Sequence, residues 1–217
     1  MNISYKNDKI QEVDATKFLG VNIDNALNFK QHIELLCSKL NKYSYALYIL
    51  RQTVSISTLI TAYHGYVAPL LKYCVIFWGN STDKDAAFKA KKKCIRAITN
   101  IKQTESCKPL FLELSILTLP CIYILEVLMF VRKNMHYFKK LKSKRLNYNI
   151  SLPENKTALF NKSILCMAPR IYNHLQKSIQ EISNIDKFKN SAKKLLLKKA
   201  YYNIAEYLED NLKLYKI

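Results

Sequence analysis

Apolar residues recur at Phe29, Ile33, Leu36, Leu40, Tyr43, Leu47 and Leu50. That spacing of fours and threes places them on one face of a helix, with Lys30, Lys39 and Lys42 off the stripe. Asn28 followed three residues later by Gln31 has the form of a capping box at the start of this helix. Ser55 is suited to cap a second helix through Ile60, Tyr63 and Val67, which Pro69 is expected to kink or end. A third helix is predicted from about Asp83 to Thr99, with a thin apolar stripe of Ala87, Ala90, Cys94, Ala97 and Ile98. Glu105 to Leu114 reads as a short helix and Leu119 to Phe138 as a long one. Beyond an aperiodic stretch at 146–160, helices are expected at about Ser163–Ile182, Asp186–Lys199 and Tyr201–Tyr215.

The first 28 residues follow a different pattern. Ile3–Tyr5, Ile10–Val13 and Phe18–Ile23 read as short strands separated by polar turns. Gly20, inside the last of these, is expected to mark a bulge or a close backbone approach. The predicted fold is therefore mainly α: a short N-terminal β-hairpin or strand remnant, then a helical bundle and C-terminal helices. The expected division is 1–28 for the β remnant, 29–145 for a helical domain, 146–162 for a linker and 163–217 for the C-terminal helical segment. With 3 Gly and 5 Pro in 217 residues, the turns that long sheets need are scarce, which favours the same fold class.

Leu114 to Val131 is almost continuously apolar. It contains Pro120 and Glu126, and a charge near the centre of a membrane span is costly. A buried core helix starting after Thr118 is the expectation, with no integral membrane segment. Trp78, the single tryptophan, is expected to fill the core, and His32 to lie at the surface. Without an N-terminal signal peptide, the expected location is intracellular, in cytoplasm or nucleus.

Charge points to a partner. Residues 1–79 carry 8 Lys and Arg against 5 Asp and Glu, a net of +3 of the total +19. The remaining +16 lies in residues 80–217. A field that positive attracts polyanions, with nucleic acid the first expectation and an anionic membrane surface the second. Two clusters stand out: Lys89, Lys91, Lys92, Lys93 and Arg96, then Lys139, Lys140, Lys142, Lys144 and Arg145. They are the expected nucleic-acid-binding residues, reading phosphate rather than sequence.

The chain lacks the common chemical motifs. None of the six cysteines falls in a C-x-x-C pair, and there is no Gly-rich phosphate loop and no H-E-x-x-H. His32, His64, His136 and His174 are widely spaced.

Three stretches together resemble one family. Thr16-Lys17-Phe18-Leu19-Gly20-Val21-Asn22-Ile23-Asp24, followed by Leu27 and His32-Ile33, is similar to the block that follows the catalytic strands of LINE-type reverse transcriptases. Phe77-Trp78-Gly79-Asn80-Ser81 comes next, preceded by Tyr73 and followed by Ile95-Arg96-Ala97-Ile98. Glu105-Ser106-Cys107, Leu110-Phe111 and Ile116-Leu117-Thr118-Leu119-Pro120 with Tyr123 form the third. A fainter likeness continues in Ala168-Pro169-Arg170-Ile171-Tyr172-Asn173 and Phe188-Lys189. The order resembles the C-terminal region, from the end of the palm through the thumb, of a non-LTR, jockey-like retrotransposon reverse transcriptase.

The resemblance implies an RNA-directed DNA polymerase as the parent activity, with Phe18, Leu19 and Gly20 in a primer-grip-like hairpin. The helices after Asn28 would form a thumb that tracks template–primer. The family's magnesium ions are held by an aspartate cluster that includes a Tyr-x-Asp-Asp turn. This chain has no Asp-Asp pair; Asp8, Asp14, Asp24, Asp83, Asp85, Asp186 and Asp210 are scattered. Tyr148-Asn149-Ile150-Ser151 and Gln176 also depart from the family's pattern. The expectation is a fragment without catalytic residues or a cofactor of its own, Met1 standing near the end of the palm, that binds RNA or DNA without sequence preference. The alternative is a non-enzymatic helical module for protein interaction or a membrane surface.

Overall fold

The computed structural model of the chain describes residues 3–5, 8–139, 150–154 and 157–210. Two antiparallel hairpins come first, β1 (Ile3–Tyr5) with β2 (Asp8–Ile10) and β3 (Ala15–Phe18) with β4 (Val21–Asp24). Then come α1 (Lys30–Leu50), α2 (Ile56–Ala62), α3 (Ala68–Lys72), α4 (Val75–Trp78), α5 (Lys84–Thr99), α6 (Lys108–Glu113) and α7 (Leu119–Lys133). The chain closes with α8 (Ala158–Lys162), α9 (Ile164–His174), α10 (Lys177–Gln180), α11 (Ile185–Lys199) and α12 (Ile204–Asp210). The protein is mainly helical, as its apolar periodicity predicts.

The segment expected as one strand from Phe18 to Ile23 is instead a strand, a turn and a strand. Phe18 pairs with Val21, leaving Leu19 and Gly20 as a two-residue loop. Both have positive φ, 46° and 82°. Two successive left-handed residues define the hairpin turn whose twist matches that of its flanking strands. Gly20 adopts this conformation without steric cost, so it marks the reversal and not a bulge.

Helix α1 begins one residue later than the proposed capping box requires. Phe29 is left-handed and buried, and Asn28 does not cap the helix. The carboxylate of Asp24 takes over, accepting the Asn28 N–H at 2.8 Å and the Lys30 N–H at 3.3 Å. The end of the hairpin thereby satisfies an amide of the first helical turn, and Asp24 places a negative charge at the positive end of the helix dipole.

Ser55 caps α2 as expected, accepting the Thr58 N–H at 3.3 Å. Pro69 does not end the helical path. The backbone widens into a π-helical turn at Tyr63–Val67, and Pro69 falls in the first turn of α3. There its missing N–H costs little, while the wider turn accommodates the ring. The predicted helix over 163–182 is broken at Leu175, whose backbone is extended, so α9 and α10 are separate.

Helix α7 starts where the sequence places it. Thr118 accepts the Cys121 N–H at 3.3 Å, and Pro120 occupies the first turn. Ten of its fifteen residues are buried. Among the described residues no helix is long and apolar enough to cross a membrane. One hydrophobic core extends from Val21 to Tyr207, with α9 and α11 packed on α7, and α1 packed chiefly on α5.

Trp78 is fully buried, and its indole N–H donates to the Tyr73 carbonyl at 2.9 Å. His32 departs from expectation: it is half-buried against this indole, ring centroids 6.0 Å apart. Burial, with Lys39 nearby, lowers the pKa of the imidazole.

Candidate nucleic-acid interface

Helix α5 separates its lysines by position. Residues 89, 92, 93 and 96 stand at i, i+3, i+4 and i+7, which places them on one face of a helix. Lys89 and Lys93 are exposed, and Lys92 and Arg96 are half-buried. Residues 87, 91, 94 and 98 form a second series at similar spacing, and all four are buried. Lys91 belongs to that inner series. Its side chain is fully buried and donates to the Leu117 carbonyl. It is therefore withdrawn from the surface cluster, because an ammonium in the core cannot reach a phosphate outside.

The four remaining cations border an open groove of about 740 Å³ between α1 and α5. The facing wall comes from α1 and includes Asn41, Tyr45 and Tyr48. Tyr45 is 68% exposed and Tyr48 46%, although both are aromatic. The Arg51 guanidinium lies 5.6 Å from the centre of the Tyr48 ring and extends the positive edge. Neither tyrosine stood out in the sequence. Their spacing of three, off the apolar stripe of α1, was the available signal.

Several contacts hold the cations in place. Arg96 donates to the carbonyls of Gln103 at 3.1 Å and Glu105 at 3.0 Å, so one side chain fixes the loop that closes the groove. Lys93 reaches the Asn41 side-chain oxygen at 3.4 Å. The Lys92 ammonium lies 4.9 Å from the centre of the Phe88 ring and 5.6 Å from that of Tyr202. Among the described residues no carboxylate lines the groove. The ion pairs among those residues, Lys72–Glu126, Lys108–Glu206 and Lys199–Asp210, involve none of these four cations. Among the described residues none of the four is held in an ion pair, which leaves them able to contact an anionic partner.

The other expected site residues are placed differently. Phe18 and Leu19 are 61% and 74% exposed at the hairpin tip, and Gly20 lies 3.6 Å, at a notional Cβ, from the Tyr73 hydroxyl. None of the three lines the basic groove. Lys139 is exposed, and its carbonyl accepts the Ser151 N–H at 2.8 Å. Lys140, Lys142, Lys144 and Arg145 lie outside the described residues.

No protein family, curated protein or solved structure matches the chain.

Proposed function

We propose that this protein binds nucleic acid without sequence preference through the groove between α1 and α5. The observation that carries this reading is the outer face of α5: Lys89, Lys92, Lys93 and Arg96 at helical spacing, in no ion pair among the described residues, opposite two exposed tyrosines. Lysine and arginine neutralise backbone phosphates and release condensed counterions. The faces of Tyr45 and Tyr48 offer stacking to unpaired bases, an interaction that every base can make. Neither contact distinguishes one sequence from another.

We further propose that the chain derives from the post-palm region of a non-LTR retrotransposon reverse transcriptase. The ordered motifs from Thr16 to Tyr123 support this origin, and a thumb would need a cationic groove of this kind. The chain's own residues do not fit the family's magnesium site. Asp24 is engaged at the start of α1 and Asp210 with Lys199 and Tyr201. Among the described residues no three His, Cys, Asp or Glu side chains gather to hold a metal. The proposed role is binding, and no step of polymerisation is assigned to it.

The test is a titration of labelled single strands and duplexes, each in two unrelated sequences, at several salt concentrations. Affinity falls steeply with salt, by a logarithmic slope of about 0.9 for each duplex phosphate neutralised, and equally for both sequences. Salt-independent binding, or a strong preference for one sequence, contradicts the reading.

An apolar groove of about 650 Å³ favours a second reading, a protein-interaction module. Leu27, Phe77, Leu159 and Leu165 line it and are each 45–53% exposed. Under that reading Phe77→Asp abolishes self-association or partner capture while charge reversals in α5 leave it intact.

A further inference from the structure

The lysine withdrawn from the surface lies behind a second cavity, of about 430 Å³. This cavity opens between the π-helical turn, α3, the loop at Ser115–Leu117, α7 and α11. Lys91 is part of its floor, and Lys72, Lys189, Lys193 and His64 line it from α3, α11 and the π-helical turn. Lys189 and Lys193 are exposed, one helical turn apart on α11. Among the described residues no carboxylate lines the cavity, although Glu126 approaches Lys72 from outside at 3.8 Å.

Two buried groups here are incompletely satisfied. The Lys91 ammonium has the Leu117 carbonyl as its hydrogen-bond acceptor, and the faces of Phe111 and Tyr63 at 5.6 Å and 6.0 Å. A buried ammonium ordinarily has an anionic partner. Tyr63, 1% exposed, also lines the cavity, and its hydroxyl has no hydrogen-bond partner among the described residues. Buried polar groups left open in a native fold call for an explanation. Burial lowers Lys91 to about 7. Burial also lowers His64, with Lys193, Lys91 and Lys72 adding to the effect in that order. Lysines from α3, α5 and α11 therefore act on one small volume, and they hold His64 towards its neutral form.

We propose that this cavity binds a small phosphate-bearing molecule carrying two or more negative charges. Its phosphate would sit among Lys72, Lys189 and Lys193, with Lys91 beneath it, where a bound anion would favour the protonated ammonium. Ile116, Ile122 and Leu125 provide an apolar wall for the remainder of the molecule. The site is separate from the α1–α5 groove, with which it shares no lining residue, and stands whether or not that groove binds nucleic acid.

The probe is inorganic pyrophosphate, titrated calorimetrically into the full chain at pH 7 and low salt. One molecule binds per chain, and Lys189→Glu and Lys193→Glu each weaken it at least tenfold. Lys89→Glu, in the other groove, leaves pyrophosphate binding unchanged. A short oligonucleotide at matched phosphate concentration does not displace it. Absence of binding at millimolar pyrophosphate overturns the proposal, as does unaltered affinity in both α11 variants. Competitive displacement by the oligonucleotide also overturns it, because the occupant is then a nucleic-acid phosphate.

Discussion

The Tyr73 hydroxyl donates a hydrogen bond to the carbonyl of Leu19, joining the tip of the β3–β4 hairpin to the end of α3 across 54 residues of sequence. Leu19 projects into solvent, 74% exposed, yet its backbone is tethered. Val21, two residues on, is buried in the core, and Ile23 packs against that core. A two-stranded hairpin is marginal alone in water, so these contacts are what keep it folded.

Tyr73→Phe removes the tether and little else. A neutral hydrogen bond of this type contributes about 1 kcal/mol. Amide exchange across Lys17–Ile23 therefore accelerates roughly fivefold in the variant, while exchange in α1 and α7 is unchanged. Equal acceleration throughout the chain would show that the bond supports the global fold and not the hairpin alone.

Gly79→Ala is expected to be more damaging than its size suggests. A methyl at this position would lie 2.6 Å from the Val75 carbonyl and 2.7 Å from the Tyr123 ring. Tyr123 and Val75 are both buried, so neither wall can retreat. Overpacking of this kind costs about 1–3 kcal/mol. Urea denaturation is the measurement, and a midpoint equal to that of the unmodified chain contradicts the close packing at this turn.

Lys91 gives the stability a pH dependence of known sign. Its pKa is about 7 in the fold, against 10.5 ordinarily, because burial disfavours its charge. Between these values the unfolded chain holds the proton and the folded chain has released it. Stability contributed through this residue therefore rises with pH, and the penalty is fully present below about pH 7. From pH 7 to 9 the gain is about 2 kcal/mol, at roughly 1.4 kcal/mol per pH unit. The thiols of Cys94 and Cys121, raised by burial to about 12 and about 11, act oppositely above pH 9, which sets the upper limit of the window. Relative to Lys91→Met, the unmodified chain gains stability across pH 7–9 in denaturant titrations. A constant difference between the two would show that Lys91 keeps its charge at a normal pKa.

Much of the fold is legible in the chain, for definite reasons. The stripe of α1, the Ser55 cap, the start of α7 after Thr118 and its buried nature follow from local spacing and capping chemistry. The left-handed Phe29 and the capping by Asp24 do not, because they depend on how the hairpin meets the helix. The π-helical turn ahead of Pro69 is likewise a compromise between a local break and continued packing of Tyr63 and Val67.

The basic cluster of α5 is partly legible. A run of charges suggests a surface, yet the helical period divides it into an outer face of residues 89, 92, 93 and 96 and an inner series containing Lys91. Charge alone, without the period, places Lys91 outside. The tyrosines of the facing wall come from a helix far earlier in the chain, and only the packing of α1 on α5 brings them to the groove.

On the proposed reading, the outer face of α5 neutralises phosphates. The direct measurement is the salt dependence of oligonucleotide affinity for the unmodified chain, for Lys89→Glu with Lys93→Glu, and for Lys91→Met. Reversing the two exposed lysines should weaken binding to every sequence about equally and reduce the logarithmic salt slope by about 1 for each phosphate no longer neutralised. Lys91→Met should leave both affinity and slope unchanged, because that side chain is buried. Unchanged affinity in the double charge reversal, or a weakening confined to Lys91→Met, would contradict phosphate binding by this face.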